Sequence, residues 1–276
     1  MQQQIPITIV VPVLDEAENL ARCLTRLGRF SEVVVIDSGS KDRTVEIAAE
    51  AGARVLRFEW DGHYPKKRNW FLLNHTPAND WVLFLDADEF VTDAFCDEVA
   101  AAVCDDEVNG FWIQYDNFFL GRRLRHGIPQ RKLALFRFGR GLYERIDEQS
   151  WSRLDMEVHE HPLVEGAVGA IGARIEHNDF KGLDAFLRRH IEYAVWEKCR
   201  YLDLAGGREQ STALTPRQRF KYRHVAKWWY PAFYFVATYF AKRGFLDGAV
   251  GLHYAYYKAW YFHTIRLMIR MQKGNE

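Results

Sequence analysis

Residues Trp81 to Phe90, WVLFLDADEF, decide how this chain folds. Five apolar residues lead directly into Asp86, Ala87, Asp88 and Glu89, which predicts a buried strand that ends at a group of carboxylates. A strand that is apolar at every position is typical of a parallel sheet covered on both faces. Ligands of such sheets bind in the crevice beyond the carboxyl ends of the strands. Asp86 and Asp88 leave an extended backbone on the same side, where one divalent cation can be held.

Strand and helix patterns alternate around this stretch. The runs predicted as strands precede it at residues 7–13, 32–36 and 54–58. Helical patterns cover residues 16–28, 42–52, 65–75 and 92–103, and Asp15 is predicted to cap the first of them. This alternation predicts an α/β fold with a parallel sheet and right-handed crossovers.

Acidic residues follow three of the predicted strands. Asp15 and Glu16 come after the first, Asp37 after the second, and the Asp86 group after the fourth. Because the carboxyl ends of parallel strands share one edge, we expect these side chains to meet at one crevice. Asp37 is suited to accept from a base N–H or a ribose hydroxyl, or else to open an Asx turn. The glycine patterns of dinucleotide-binding and P-loop proteins are missing, which disfavours both classes.

The second half of the chain has a different pattern. Strand-like runs between residues 110 and 177 predict a mixed or antiparallel half that completes the sheet, and residues 181–204 form one long helical pattern. Gly206 and Gly207 then mark a break. We therefore place a main domain at residues 1–205, with halves at 1–105 and 106–205, and a helical tail at residues 206–276.

Composition supports a folded protein. The 276 residues are 48% apolar and 27% charged, as in globular domains. Net charge is zero, but residues 208–276 carry 12 Lys or Arg against 3 Asp or Glu. The four cysteines are scattered, which favours reduced core thiols in the cytoplasm over a zinc site or a disulfide framework. The N-terminal residues pass directly into a strand, so we expect no export signal.

The tail is aromatic as well as basic. Between Phe220 and Phe262 there are 17 aromatic residues among 43. The longest uncharged run, Trp228 to Ala241, has 14 residues, whereas a spanning helix needs about 20. Aromatic rings beside basic side chains suit the headgroup level of a membrane. We therefore favour association with an anionic membrane surface over an aromatic helical core or a nucleic-acid surface, and we expect no nucleic-acid partner.

An Asp-x-Asp pair alone is more often a solvated loop or a helix cap, but here four motifs in order resemble one family. They are PVLDEAENL at 12–20, VVVIDSGSKDRT at 33–44, KKRNW at 66–70 and LFLDADE at 83–89. Together they resemble family 2 glycosyltransferases, which implies a GT-A fold: a Rossmann-like, mostly parallel sheet flanked by helices, here with a C-terminal aromatic, basic helical appendage. Later segments, MEVHEHPLVEG, RIEH and RGFLDGAVGLHYAYY, resemble bacterial lipopolysaccharide inner-core β-glucosyltransferases.

The resemblance implies a nucleotide-diphosphate sugar as co-substrate and Mg²⁺ or Mn²⁺ as cofactor, both bound by the half at residues 1–105. The residues that it places around the nucleoside and phosphates are Pro12, Glu16, Asp37, Arg68 and Asn69. Asp88 is implied to ligate the metal, Asp86 to touch the ribose or a metal-bound water, and His177 to be a third ligand or a phosphate contact. Oxygen ligands are the ones these ions prefer.

Inverting transfer in one displacement needs a base beside the acceptor hydroxyl, in the half at residues 106–205. By the resemblance Glu160 has this role and His159 orients the site. Asp147 and Glu148 are reserve candidates, whereas Glu157 is suited equally to a surface ion pair. Three basic residues, Lys132, Arg137 and Arg140, are predicted to form a patch for acceptor phosphates or a solvated charged face.

These residues lead to one functional prediction. The chain transfers one sugar, glucose, from a UDP donor to a lipopolysaccharide-core or other lipid-linked glycan acceptor, on the inner face of the cytoplasmic membrane. Two alternatives stay open. A sugar-nucleotide nucleotidyltransferase would share the fold type but would be expected to carry a glycine-rich loop with Arg or Lys after the first strand. A membrane-bound module that only binds nucleotide sugars would not need the acidic residues near position 160.

Overall fold

The computed structural model describes residues 4–146, 161–207 and 214–274. The strands are β1 (Ile5–Val13), β2 (Phe30–Asp37), β3 (Arg54–Arg57), β4 (Trp81–Phe84), β5 (Glu89–Phe90), β6 (Val108–Phe119), β7 (Arg122–Arg123), β8 (Arg131–Arg137), β9 (Gly141–Tyr143), β10 (Pro162–Val164) and β11 (Ala167–His177). The helices are α1 (Ala17–Thr25), α2 (Thr44–Glu50), α3 (Lys67–Asn74), α4 (Asp93–Ala102), α5 (Gly182–Ala205), α6 (Pro216–His224), α7 (Tyr230–Val236) and α8 (Gly248–Gly274).

Contacts between residues divide the described chain into two units. The first holds residues 4–118, 129–146 and 161–180, and the second holds residues 119–128, 181–207 and 214–274. Our predicted boundary after residue 205 differs from this division, because α5 packs against α8 and so groups with the helices that follow it.

The first unit is built on a mixed sheet. Within its described residues, strands follow one another in the order β3, β2, β1, β4, β8, β6, β11, β5, while β9 and β10 pair separately. The first four of these strands are parallel. β8 runs antiparallel to β4 and β6, and β11 is parallel to β6. This confirms the predicted α/β class, the parallel first half and the mixed second half.

The sheet is buried on both faces, as the unbroken apolar run of β4 predicts. Trp81 and Leu83 belong to one hydrophobic cluster, with the buried face of α1 and α4. Val82 and Phe84 belong to a second cluster on the opposite face, with Phe71 of α3. Successive side chains of a strand alternate between faces, so a strand with two covered faces has no position for an exposed polar side chain.

The start of α1 corrects one prediction. Asp15 does not cap this helix, since its backbone is left-handed (φ +53°) and its carboxylate accepts from the Lys41 N–H at 2.7 Å. The first N–H groups are instead satisfied from the loop after β2. Thr44 Oγ1 accepts from the Glu16 N–H and Asp42 Oδ2 from that of Ala17. The loops after β1 and β2 are therefore tied together at the carboxyl edge of the sheet.

The second unit is helical. α6 begins at a capping box made by Thr215 and Gln218, and a π-helical turn (Ala237–Ala241) and a 3-10 turn (Gly244–Asp247) connect α7 to α8. Part of the aromatic tail is core, since Tyr230 packs edge-on against Phe262 with ring centroids 5.1 Å apart. No helix in the described ranges has the length and hydropathy needed to cross a bilayer.

The four cysteines carry free thiols, and only two of them are core residues. Cys23 and Cys96 are buried, whereas Cys104 is exposed. Burial raises the pKa of the Cys96 thiol to about 11, which keeps it protonated and unreactive.

Candidate active site

The carboxyl ends of the parallel strands meet at one edge of the sheet. Val13 lies opposite Asp37, which in turn lies opposite Arg57. The Leu85 N–H donates to the Val10 carbonyl at 3.0 Å, so the chain leaves β4 beside the end of β1 with Asp86 as its next residue. The ends of β1, β2 and β4 therefore lie side by side, at the edge where the sequence predicts the acidic residues.

Asp37 organises the loop after β2. Its Oδ2 accepts from the Gly39 N–H at 2.9 Å and its Oδ1 from the Ser40 N–H at 3.1 Å. This is the Asx turn that we considered as an alternative role. Gly39 has φ +88°, a conformation that suits glycine. Contact of Asp37 with a nucleoside stays a prediction.

Two basic side chains hold the carboxylate of Asp86. Arg68 Nη2 of α3 donates to Asp86 Oδ1 at 2.8 Å, and the Lys132 ammonium of β8 contacts Asp86 Oδ2. Burial by itself raises the pKa of Asp86, but the charges of Lys132 and Arg68 outweigh burial and hold this pKa well below its usual range. Asp86 is therefore ionised at any physiological pH.

Lys132 also contacts the carboxylate of Glu89, whose side chain is 1% exposed. Glu89 Oε2 accepts from the Asp86 N–H at 3.1 Å, which closes the turn between β4 and β5. Burial raises the pKa of Glu89, opposed by the charge of Lys132. The two carboxylates raise the pKa of Lys132 although burial opposes them. One ammonium thus links two carboxylates of the Asp-Ala-Asp-Glu motif.

Asp88 lies beside His177, the last residue of β11. The His177 Nε2 is 3.5 Å from Asp88 Oδ2, and its Nδ1 is 2.9 Å from the Asn117 side-chain oxygen. Burial lowers the pKa of His177, but the charges of Asp88 and Glu89 overcome this, and the net pKa is raised above its ordinary value. The structure thus places His177 beside the acidic motif, and its role as a metal ligand or a phosphate contact stays a prediction.

The donor set at this edge suits a divalent cation that arrives with phosphates. No three His, Cys, Asp or Glu side chains in the described ranges are gathered as a complete metal cage. The arrangement that most resembles a metal site is the pair Asp88 and His177. Asp86, by contrast, is already paired with the Lys132 ammonium. Mg²⁺ and Mn²⁺ sites of nucleotide-using proteins need only one or two protein carboxylates, because substrate phosphates and water complete the shell. The Asn117 contact would orient the imidazole.

Other predicted donor-site residues hold the surrounding loops. Asn69 of α3 is buried, and its amide donates to the Tyr143 carbonyl at 2.9 Å and accepts from the Tyr143 N–H at 2.8 Å. Glu16 accepts from the Asn19 amide at 2.9 Å. Pro12 is half-buried on β1. The structure thus shows Asn69 joining α3 to β9, and contact of these residues with a nucleotide stays a prediction.

The residues predicted to act on the acceptor lie outside the described residues. They are Asp147, Glu148, Glu157, His159 and Glu160. Their roles stay predictions.

The predicted basic patch is wrong as a single surface. Lys132 binds the acidic motif, whereas Arg137 donates to Asp106 at 2.8 Å and lies over the Trp81 ring. The reason is the strand register: Arg137 pairs with Trp81 at the start of β4, at the opposite end from the Asp86 turn. Lys132 and Arg137 therefore lie at opposite edges of the sheet.

The sequence did not indicate the roles that three residues have at this edge. Glu89 has a weak signal, because it ends the acidic motif, and Lys132 has none, because its ammonium reaches the motif only through the pairing of β8 with β4. Tyr115 of β6 is buried in the same place, with its ring centroid 5.4 Å from the Lys132 ammonium, and its hydroxyl has no hydrogen-bond partner among the described residues.

A comparison with protein families identifies the chain. The model of glycosyl transferase family 2 matches residues 8–156, which is 149 of 276 residues and more than half of the chain. The chain belongs to glycosyl transferase family 2. The prediction of a glycosyltransferase is confirmed, and the α/β unit with its helical appendage confirms the GT-A fold class expected of this family.

Individual relatives overlap to different extents. A lipopolysaccharide core biosynthesis glycosyltransferase, LpsC, of Rhizobium meliloti is 26% identical over 94% of this chain and 92% of its own length. A TPR repeat-containing protein of Synechococcus elongatus is 43% identical, but over 30% of this chain and 20% of that protein. Among solved structures, glucosyl-3-phosphoglycerate synthase of Mycobacterium tuberculosis, in complex with Mn²⁺, UDP and glucosyl-3-phosphoglycerate, is 25% identical and covers 42% of this chain and 44% of its own, with a TM-score of 0.31.

Proposed function

We propose that this family 2 member is an inverting glycosyltransferase that moves one sugar from a nucleotide-diphosphate sugar, UDP-glucose, to a lipopolysaccharide-core or other lipid-linked glycan. The observation that carries the proposal is the acidic motif beyond β4, at the carboxyl edge of the parallel strands. Likeness to the R. meliloti lipopolysaccharide core enzyme along 94% of the chain supports the acceptor class.

On the donor side, the proposal uses the loops that follow β1, β2 and β4. Asp86, Asp88 and His177 would hold Mg²⁺ or Mn²⁺, which would offset the charge that develops on the leaving diphosphate. The residues proposed around the nucleoside and phosphates are Pro12, Glu16, Asp37, Arg68 and Asn69.

On the acceptor side, we assign the base to Glu160, with His159 orienting the site. Glu160 would take the proton of the acceptor hydroxyl as that oxygen bonds to the anomeric carbon. The bond from this carbon to the diphosphate oxygen breaks on the opposite face, which inverts the configuration. A positioned carboxylate of this kind accelerates a reaction about 10²- to 10⁴-fold.

We further propose that the enzyme works at the cytoplasmic face of an anionic membrane. The helical unit supports this with exposed aromatic side chains, among them Phe240 at 56% and Phe245 at 45% exposure, and with its surplus of basic residues. Such a surface suits the boundary between headgroups and acyl chains.

The test is nucleotide release with a panel of nucleotide sugars, Mn²⁺ and truncated lipopolysaccharide. We expect free UDP from UDP-glucose together with glycosylated acceptor. Asp88→Asn should lower the rate at least a hundredfold, whereas the exposed Asp93→Asn, five residues further on, should not change it. Pyrophosphate release from UTP and a sugar phosphate would instead indicate a nucleotidyltransferase, and donor binding without turnover of any acceptor would indicate a binding module.

A further inference from the structure

Two segments that are far apart in sequence meet in the helical unit. One is the loop 119–128, FLGRRLRHGI, and the other is the turn 236–248, VATYFAKRGFLDG, between α7 and α8. The Gly127 N–H donates to the Lys242 carbonyl at 2.9 Å. We call the surface formed by these two segments the basic tip.

A buried carboxylate fixes the two segments to each other. Asp247 accepts hydrogen bonds from the backbone N–H groups of Arg125, at 3.1 Å, and of His126, at 2.9 Å. The His126 Nδ1 lies 3.1 Å from the same carboxylate, whose side chain is 6% exposed. The only acidic residue of the two segments is thus turned inward and used to build the basic tip.

The charge that remains on the surface is positive. The two segments contain five Lys or Arg and one Asp, a surplus of four positive charges. All five basic residues are exposed: Arg122, Arg123, Arg125, Lys242 and Arg243. A surface with this surplus of positive charge attracts an anionic partner.

Large apolar side chains project among these charges. Five of them are between 45% and 56% exposed: Leu120, Val236, Phe240, Phe245 and Leu246. A cluster of this kind marks an interaction surface, because a protein in water gains nothing from exposing it. Three of the five are aliphatic and offer no ring for a base to stack on, whereas all five suit a layer of acyl chains.

The backbone of the turn is packed closely against the start of α8. Arg243 is left-handed, with φ +58°. A Cβ added at Gly251 would lie 2.0 Å from the Gly244 carbonyl oxygen, and one at Gly244 would lie 2.7 Å from the Thr238 carbonyl oxygen. Because both positions are glycines, the turn can lie close against the start of α8.

We propose that the basic tip is the site at which this protein docks on a membrane. Its apolar side chains enter the boundary between headgroups and acyl chains, and its five cations face the phosphates of anionic lipids. This inference deepens the membrane association proposed above and rests on it. It adds a loop at residues 119–128 that lies outside the aromatic tail, and it selects one end of the α7–α8 hairpin.

The test is flotation of the full chain with vesicles of phosphatidylcholine, with or without 30% phosphatidylglycerol. Each basic side chain near an anionic leaflet strengthens binding about fivefold. The double variant Lys242→Gln/Arg243→Gln should therefore bind the anionic vesicles about 25-fold more weakly. Phe240→Ser/Phe245→Ser should also lose binding, and it tests the apolar part separately.

Two controls match these changes elsewhere in the same unit. Arg219→Gln/Arg223→Gln removes two exposed cations from α6, and Trp228→Ser removes a more exposed aromatic ring from the opposite end of the hairpin; both should bind vesicles as the wild type does. Equal losses in control and tip variants, no loss in the tip variants, or tighter binding to single-stranded RNA than to anionic vesicles would each overturn the proposal. UDP release with a water-soluble acceptor, measured in parallel, reports separately on whether the chain is a glycosyltransferase.

Discussion

Replacing Lys132 by methionine tests the charge arrangement of the acidic motif. The change keeps most of the side-chain volume and removes the ammonium that contacts both Asp86 and Glu89. Removing one partner of a fully buried ion pair costs about 3–5 kcal/mol. Solvent screening reduces this, because the Lys132 side chain is 44% exposed and that of Asp86 is 37% exposed, and Arg68 remains on Asp86. We therefore expect a loss of about 2 kcal/mol, almost all from the buried Glu89.

The loss should depend on pH. The pKa of Glu89 is raised in the folded protein. Its protonated form therefore stabilises the fold at pH values below the pKa of an unfolded Glu, and this stabilisation disappears as the pH rises through the folded pKa. Without Lys132, a charged Glu89 has to be buried alone at pH 8, whereas at pH 5 it can take up a proton. Thermal unfolding in EDTA should show Tm lowered by about 4–8 °C at pH 8 and by less at pH 5.

The exposed Lys41→Met is the control, and its Tm should stay that of the wild type. Added Mn²⁺ should raise the Tm of Lys132→Met more than that of the wild type, because the ion no longer competes with an ammonium for the same carboxylates. A Tm for Lys132→Met within 1 °C of the wild type at pH 8 would refute the reasoning, since Glu89 would then need no cation.

Three further changes test other parts of the account. Asn69→Ala removes both hydrogen bonds to Tyr143 and should destabilise the fold by about 2–3 kcal/mol, measured by urea unfolding; an unchanged midpoint would contradict the structural role of this amide. The pKa of His177 is raised in the folded protein, so its protonated form stabilises the fold below the ordinary pKa of 6.5, and this contribution is lost as the pH rises through the folded pKa. In EDTA, the Tm of His177→Gln should therefore fall less between pH 6 and pH 8.5 than the Tm of the wild type. Parallel Tm curves for the two proteins would show that the charge of His177 does not stabilise the fold. Glu160→Gln should keep donor binding in calorimetry but lower the transfer rate about 10²- to 10⁴-fold; equal rates would move the base elsewhere.

The sheet could be predicted from sequence because its signals are local. An apolar run such as Trp81 to Leu85 has one stable environment, a strand covered on both faces, and the predicted helix starting after Thr92 begins there because its hydroxyl accepts from the Phe95 N–H. The cap of α1 could not be predicted, since Thr44 and Asp42 reach Glu16 and Ala17 only after β1 and β2 have paired.

The same distinction explains the site. Asp86, Asp88 and His177 could be found because each ends a strand-like run, and strand ends collect at one edge. Lys132 was assigned to the wrong group, because residues close in sequence on β8 look like one patch, whereas pairing with β4 sends Lys132 to one edge and Arg137 to the other. The packing of α5 with α8 is likewise a contact between distant residues, which the glycine break after residue 205 did not reveal.

The central claim is that the carboxylates beyond β4 hold a cation that carries an activated sugar. The most direct measurement is titration calorimetry of UDP with the wild type, Asp88→Asn and Asp93→Asn, each with Mn²⁺ and with EDTA. We expect Mn²⁺ to strengthen UDP binding to the wild type and to Asp93→Asn, and Asp88→Asn to lose at least tenfold of this gain. Equal Mn²⁺-dependent affinity in all three proteins would contradict it.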